Sequence, residues 1–189
     1  HHHHHHHLLR LHLHLLLPLR AQAGCKVMVF CNTKADCEKL AQARKRQGHG
    51  AVAIHGDKDQ WERERALQQF ASSQAPVMFA TDVAARGLHV EAVSLVVNYD
   101  MPQGDGVEDY VHRIGRTGRA GASGEAVTFW DEKKDGKTAR PLKTILQGAS
   151  QPVPDFLEEA AERSYGDSRR SRWGGGKGKG GGKGGKGKG

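Results

Sequence analysis

A basic segment between residues 112 and 119 is the part of the chain best suited to chemistry. It holds one histidine and three arginines in eight residues, separated by two glycines. Two of the arginines, Arg116 and Arg119, lie about one helical turn apart and can project to one side. Arginine suits phosphate because its planar fork donates paired hydrogen bonds and stays charged. We interpret the segment as a phosphate clamp, with a solvated basic loop as the alternative.

Short apolar runs and amphipathic segments must position these arginines. We predict strands at residues 26–31, 51–54, 77–81, 94–98 and 126–130. We predict helices from Asn32 or Thr33 to Gln47, from Asp57 or Asp59 onward, at about 108–115, and from about Pro141 to Gln147. Strands separated by helices indicate crossover units and a mostly parallel sheet. The predicted class is therefore α/β.

The polar segments that follow these strands form a candidate working edge. Ligands of open parallel sheets bind beyond the carboxyl ends of the strands. This rule brings residues 32–34, 55–58, 81–88 and 100–104 to one rim.

Composition divides the chain of 189 residues into three parts. We predict a tag-like, low-complexity His/Leu segment at 1–20, one globular domain at 21–163, and a disordered basic tail at 164–189. The formal charge is +8, and five of these charges are lysines of the glycine tail, which leaves +3 for the rest. A basic tail favours a polyanionic partner, either nucleic acid or an acidic surface, and such binding should depend strongly on salt. The three cysteines show no metal-ligand spacing, so we expect reduced intracellular thiols and no metal site.

Four segments resemble the motifs of the DEAD-box RNA helicases. Residues 110–119, Tyr-Val-His-Arg-Ile-Gly-Arg-Thr-Gly-Arg, match motif VI residue for residue. Residues 29–34 resemble motif IV, residues 80–88 resemble motif V, and residues 55–63 carry the Gln-x-x-Arg element. The four segments follow the family's order and spacing, over about residues 25–161.

The resemblance implies a RecA-like second lobe that binds ATP and single-stranded RNA together with a first lobe. It implies arginine fingers at Arg116 and Arg119. It implies nucleotide binding or lobe coupling by Asp82, Arg86, Gly87, His89, His112 and Arg113. It implies RNA contacts by Asn32, Thr33, Gly56, Gln60, Arg63 and Thr81. The whole protein would use ATP hydrolysis to separate short RNA duplexes.

Two departures from the family pattern bear on the nucleotide site. His89 stands where the family usually has an aspartate, which should weaken nucleotide positioning unless the difference is a sequence error. Residues 101–110 are about two residues longer than the family's segment. Neither change touches Arg116 or Arg119.

The sequence has no Gly-x-x-x-x-Gly-Lys-Ser/Thr loop and no Asp-Glu-Ala-Asp segment. We therefore expect Mg²⁺ and ATP to be held mainly by an N-terminal lobe, and this chain alone to lack ATPase activity. The expected partners are that lobe and single-stranded or duplex RNA. We expect a monomer, in the nucleus or cytoplasm, with no membrane association.

Two other functions stay open from the residues alone. A stand-alone RNA-binding or regulatory module would use the same surfaces without catalysis. A metal-binding His-rich protein would depend on residues 1–7 alone. Stacking on bases by Trp61, Trp130 or Trp173 is a further possibility, although structural or incidental roles are favoured for these three residues.

Overall fold

The structure, a computed structural model, describes residues 13, 16, 17, 21, 24–90, 92–103, 107–118 and 124–173. The chain divides into two compact units, His1–Asp131 and Glu132–Gly189. The first unit contains a five-stranded sheet with the order β2-β3-β1-β4-β5, in which every pair of neighbours is parallel. Its strands are β1 Lys26–Phe30, β2 Ala51–Ile54, β3 Val77–Ala80, β4 Val93–Asn98 and β5 Glu125–Thr128.

The register of the sheet aligns the carboxyl ends of all five strands. Phe30 of β1 pairs with Ala80 on one side and with Asn98 on the other. Ile54 continues this row beyond β3, and Thr128 continues it beyond β4. The residues that follow these five positions therefore meet at one edge, as the sequence predicts.

The helices of the first unit are α1 Lys34–Arg46, α2 Gln60–Ala71, α3 Asp82–Ala85 and α4 Val107–Ile114. Two of the predicted caps are confirmed. The Thr33 hydroxyl accepts from the Asp36 amide at 3.1 Å, and the Asp59 carboxylate accepts from the Glu62 amide at 2.8 Å. Such caps satisfy amides that the first turn of a helix leaves without partners, and so fix where α1 and α2 begin.

The sheet is buried on both faces, because successive side chains of β1 enter opposite cores. Val27 and Val29 belong to one apolar cluster, and Met28 and Phe30 belong to the other. Cys31 lies in the first cluster, where a hydrogen bond with Cys37 and burial raise the pKa of its thiol. Both thiols are buried and reduced.

The first cluster also contains Leu13 and Leu17, which are helical and almost fully buried. The predicted boundary at residue 20 assigned both leucines to a low-complexity segment outside the domain. Leucines four residues apart share one face of a helix and can cover apolar surface, so part of this segment packs as a helix against the sheet. Residues 1–7 lie outside the described part of the chain.

The second unit contains α5 Glu132–Asp135, a 3-10 turn at Gly136–Thr138, α6 Ala139–Gly148 and α7 Asp155–Trp173. Leu142 of α6 and Leu157 of α7 are buried. Lys143 lies 2.5 Å from Glu158, and Arg163 donates to both carboxylate oxygens of Glu132 at 2.7 and 2.9 Å.

Helix α7 extends ten residues into the segment predicted to be a disordered tail from residue 164. That segment contains one glycine and several arginines up to Trp173, and arginine is a good helix former. The change from helix-compatible to glycine-rich sequence comes at residue 174, beyond which the predicted tail lies outside the described residues.

Most predicted elements match the observed ones within one or two residues, and two differences concern the working edge. The four-residue helix α3 was not predicted, because a segment this short shows no helical periodicity. Strand β5 was predicted as a buried apolar strand, yet it is half exposed because it forms an edge of the sheet. None of the described helices is long and apolar enough to cross a membrane.

Candidate functional site

The candidate site lies on the rim formed by the carboxyl ends of the strands. Asn32 follows β1, Thr81 and Asp82 follow β3, and Asp100 follows β4. His55 follows β2 at the same level. The predicted grouping of these segments is confirmed for residues 32–34, 55–58, 81–88 and 100–103, whereas Gly104 lies outside the described residues.

Arg113 of α4 is the centre of this rim. Its Nε donates to Asp82 Oδ1 and its Nη2 donates to Asp82 Oδ2, both at 2.6 Å. Its Nη2 also donates to Asn32 Oδ1 at 2.9 Å. Its Nη1 donates to Asn98 Oδ1 at 3.3 Å and to the Asp100 carbonyl at 2.5 Å. All five guanidinium donors are thereby used.

The environment of Arg113 explains how a charged side chain can be 1% exposed. Its charge is balanced by Asp82 in a bidentate pair, and its face lies 5.2 Å from the centre of the Phe30 ring. A buried guanidinium without such partners would be strongly destabilising. Arg113 is turned inward and cross-links the segments around β1, β4, α3 and α4. Its predicted part in nucleotide binding or lobe coupling stays a prediction.

Asn32 belongs to the same network. Its amide accepts from Arg113, and its Nδ2 donates to the Met101 carbonyl at 2.8 Å. Its backbone N–H donates to Asp100 Oδ2 at 3.0 Å. Both the oxygen and the nitrogen of the Asn32 side chain are therefore already used in the rim, and an RNA contact by this side chain would compete with these hydrogen bonds.

The segment after α4 is anchored to the neighbouring loop. Arg116 Nη1 donates to the Leu88 carbonyl at 3.0 Å, and the Thr117 hydroxyl donates to the Val93 carbonyl at 2.6 Å. A Cβ on Gly124 would lie 2.3 Å from the Gly118 nitrogen, so only glycine permits this approach. The predicted arginine Arg119 lies outside the described residues.

A cleft of about 40 Å³ opens beside this anchor and is lined by Phe30, Asp82, Ala85, Arg86, Asp109, His112, Arg113 and Arg116. Arg86 is 68% exposed, and its Nη2 lies 3.4 Å from Asp109 Oδ1. His112 is exposed on the outer side of α4. Gly87 has a φ of +76°, which glycine adopts without strain, and the exposed His89 follows it two residues later.

The two carboxylates at this cleft are both engaged by arginines, Asp82 by Arg113 and Asp109 by Arg86. Carboxylates already paired with cations are poor ligands for Mg²⁺. The donors that line the cleft, in contrast, are those that bind phosphate oxygens. The lining of the cleft therefore suits an anionic group such as a phosphate better than a metal cation.

The predicted RNA contacts lie on the other half of the rim, at the ends of β2 and β3. Gly56 is exposed in the turn after β2, and Gln60 is exposed at the start of α2, where it donates to Glu64 Oε1 at 3.1 Å. Thr81 is buried at the end of β3. The Nε of Arg63 is buried and receives no hydrogen-bond acceptor from the described part of the chain.

The turn that carries Gly56 is pinned by a cluster that the sequence analysis missed. His55 Nδ1 accepts from the Asp57 amide at 3.2 Å, so Nε2 carries the proton that it donates to Glu38 Oε1 at 2.8 Å. Lys58 Nζ lies 2.5 Å from the same Glu38 oxygen. Burial alone would raise the pKa of Glu38, but these two hydrogen bonds and their charges hold it below its usual value. Only the packing of α1 beside β2 reveals this cluster.

Lys34 covers the outer side of the same turn. Its Nζ donates to Asp57 Oδ1 at 2.8 Å, and this hydrogen bond lowers the pKa of the exposed Asp57 carboxyl. A Cβ on Gly56 would meet the Lys34 side chain at 3.3 Å, so a larger residue would crowd it. Asn98 was also missed, although a polar residue at the end of a buried strand is a usable signal, whereas Asp100 lies in the predicted rim segment.

Comparisons with known proteins agree with this geometry. Residues 7–121 match the helicase conserved C-terminal domain. The chain is 54% identical over 165 residues to the DEAD-box ATP-dependent RNA helicase 14 of Arabidopsis thaliana, covering 85% of this chain and 26% of that protein. It is 48% identical over 153 residues to the ATP-dependent RNA helicase DBP2 of Saccharomyces cerevisiae, covering 81% of this chain and 27% of that protein. The chain thus spans about a quarter of the length of these curated relatives.

Solved structures give the same result. The RNA-helicase Prp28 from Chaetomium thermophilum bound to ADP superposes with a TM-score of 0.68 at 41% identity, over 78% of this chain and 36% of that chain. The C-terminal domain of the DEAD-box protein Dbp5 superposes with a TM-score of 0.58 at 33% identity, over 65% of this chain and 70% of that chain. The predicted RecA-like α/β fold is therefore confirmed.

Proposed function

Because this chain belongs to the helicase conserved C-terminal domain family and is the C-terminal lobe of a DEAD-box RNA helicase, we propose that its rim binds ATP phosphates and single-stranded RNA. The single observation that supports this most is the hydrogen-bond network of Arg113. The network joins segments that follow three neighbouring strands, and it lies between the basic cleft and the predicted RNA contacts.

In the nucleotide half of the rim, Arg116 is the proposed arginine finger in the described chain. The Leu88 carbonyl holds one of its nitrogens at 3.0 Å, so its position depends on the loop that also carries Arg86 and Gly87. A prepositioned arginine stabilises the charge that develops on a transferring phosphoryl group. Arg119 would share this role by its place in the motif, whereas His89 does not line this cleft and lies instead beside Lys26 and Leu67.

Bound ATP supplies the γ-phosphoryl group whose transfer to water drives the cycle, and Mg²⁺ neutralises its charge. The metal would be held mainly by the N-terminal lobe, since the carboxylates of this cleft are paired with arginines. This lobe would then position Arg116. Exposed groups such as His112 would contact the N-terminal lobe. Arg113 acts indirectly, as a positioning residue that fixes Asp82.

In the RNA half of the rim, Arg63 is the proposed principal contact. A buried donor without an acceptor costs free energy, so Arg63, whose Nε lacks an acceptor among the described residues, would gain by turning its guanidinium to a phosphate oxygen. Thr33, Gly56 and Thr81 follow the ends of neighbouring strands and Gln60 begins α2, so backbone and hydroxyl groups there can follow a sugar-phosphate chain. Contacts of this kind give binding that does not depend on base sequence.

A chimera tests the catalytic part of this proposal. This chain would replace the corresponding lobe of the 54%-identical plant relative, and RNA-stimulated ATP hydrolysis would be measured. We expect turnover in the chimera, and a decrease of about 10³-fold or more in kcat for Arg116→Ala, with little recovery in Arg116→Lys.

Controls separate catalysis from folding. Arg46→Ala removes an exposed cation at the far end of α1 and should leave turnover unchanged. The isolated chain should show no hydrolysis. A chimera that binds RNA but keeps full activity after Arg116→Ala would contradict the arginine-finger role and favour a non-catalytic RNA-binding module.

A further inference from the structure

Trp61 is a large aromatic side chain that contributes little to the core. It lies in the first turn of α2 and is 64% exposed. The guanidinium of Arg65, one helical turn further on, lies 5.4 Å from the centre of the indole ring. An indole stacked with a guanidinium forms a platform on which a nucleic-acid base can stack, because both groups present flat faces.

Trp61 opens onto a groove of about 440 Å³ along the β2 edge of the sheet. Val52 of β2 forms part of its floor, and Lys45 of α1 and Gln69 of α2 lie at its far end. Lys58 and Trp61 lie at its near end, on the rim. From Trp61 to Gln69 the helix rises about 12 Å, so the groove can hold an extended chain rather than a single small group.

The charges that line this groove are mainly positive. Lys45, Lys58 and Arg65 face it, against the single carboxylate of Glu62. Glu38 offsets part of the charge of Lys58, with which it forms an ion pair at 2.5 Å. Lys45 and Arg65 therefore supply most of the excess. A basic groove with an aromatic platform fits a flexible polyanion that carries flat rings.

The near end of the groove adjoins the predicted RNA contacts. Gly56, Lys58 and Gln60 follow one another around the amino end of α2. Arg63 and Trp61 point to different sides of this helix, since they are two residues apart. An RNA strand leaving the Arg63 side would cross the end of α2 at Lys58 and reach Trp61.

We propose that the groove lined by Lys45, Lys58, Trp61 and Arg65 binds nucleotides of a single-stranded RNA beyond those held on the rim, with Trp61 as a base-stacking platform. This inference rests on the proposed RNA-binding function of the rim. The β2 edge of the sheet would then extend the RNA-binding site. An acidic peptide is the competing occupant, but it would leave the exposed indole without a stacking partner.

The test is fluorescence anisotropy at low salt with the complete 189-residue chain and two labelled oligouridylates, of about five and about ten nucleotides. We expect Trp61→Ala to weaken binding of the longer RNA about tenfold, the loss of one stacked base, and to leave the shorter RNA unaffected. Trp61→Phe keeps a stacking ring and should retain most of the affinity. Lys45→Ala removes a cation that lines the groove and should also weaken binding of the longer RNA. Lys39→Ala is its matched control, because Lys39 is an exposed cation of α1 that does not line the groove.

An Arg63→Gln variant distinguishes this proposal from the one on which it rests. If Arg63→Gln weakens both RNAs while Trp61→Ala weakens neither, the groove proposal is overturned and the rim remains an RNA site. Equal losses for both RNAs in Trp61→Ala also overturn it, because Trp61 would then belong to the rim. If Arg63→Gln changes neither affinity, the rim itself is not the RNA site. Polyglutamate binding that depends on Trp61, without RNA binding, would identify a peptide groove instead.

Discussion

The two halves of the rim treat their polar groups differently. Around Arg113, the guanidinium donors are all used by Asp82, Asn32, Asn98 and a backbone carbonyl. Around Arg63, a buried donor receives no acceptor from the described residues, and Gly56 and Gln60 are exposed. These two arginines therefore differ in how far their hydrogen-bonding groups are used within the protein. A saturated arginine holds the protein together, whereas an unsaturated arginine retains binding capacity for a ligand.

Removal of Arg113 should destabilise the half of the rim in which all guanidinium donors are hydrogen-bonded. We expect this to be the largest of the effects on stability. We expect Arg113→Ala to lower the free energy of unfolding by about 3–5 kcal/mol, because Asp82 would stay partly buried without its cation. Chemical denaturation of the isolated chain measures this loss.

The double variant Arg113→Ala with Asp82→Ala checks the cause. It should recover part of the stability lost in the single variant, because no charge then lacks a partner. Simple additivity of the two losses would contradict the cross-link described here.

Removal of Arg63 should have the opposite pattern of effects, since RNA binding should weaken while the stability of the fold changes little. We expect Arg63→Gln to weaken RNA binding by about 1.5–3 kcal/mol, the value of hydrogen bonds to a charged group. The free energy of unfolding should change little, since the Nε has no partner to lose within the described chain. Filter binding and denaturation of the same preparation test the two expectations together, with Arg46→Gln as the control cation.

Acid should destabilise the turn that follows β2 in the RNA half of the rim, and this is the smallest of the expected effects. Because hydrogen bonds from Lys58 and His55 hold the pKa of Glu38 below 4.5, the folded state favours the ionised carboxyl. This stabilisation is present at neutral pH and is lost as the pH falls below that value. The loss should be under about 1 kcal/mol, since the carboxyl is partly exposed.

The difference in unfolding free energy between the wild type and Glu38→Gln measures this contribution. It should be present near neutral pH and shrink on acidification. A difference that stays constant across the acidic range would contradict the assignment.

Much of this comparison could be predicted from local sequence. The strands follow from short apolar runs, the caps at Thr33 and Asp59 follow from residue type, and the rim follows from the rule for parallel sheets. The direction of the Arg113 side chain could not be predicted in this way. Motif position suggested contact with a nucleotide or a second lobe, whereas its burial depends on Asn32, which is 81 positions away in the sequence.

The unpredicted features share one physical cause, which is that they depend on distant contacts. Leu13 and Leu17 become core residues only when a sheet face is available to cover. Glu38 meets His55 only after α1 packs beside β2.

The long separation between Arg113 and its partners also sets when the rim can form. Its hydrogen bonds close loops of 81, 31, 15 and 13 residues, and they join strands that are neighbours in the sheet but not all consecutive in the sequence. Long loops lose more chain entropy on closure, so such contacts form late in folding, after the sheet order is established. The rim therefore depends on the complete order of these strands, since its hydrogen bonds need the segments after β1, β3 and β4 to be in place together.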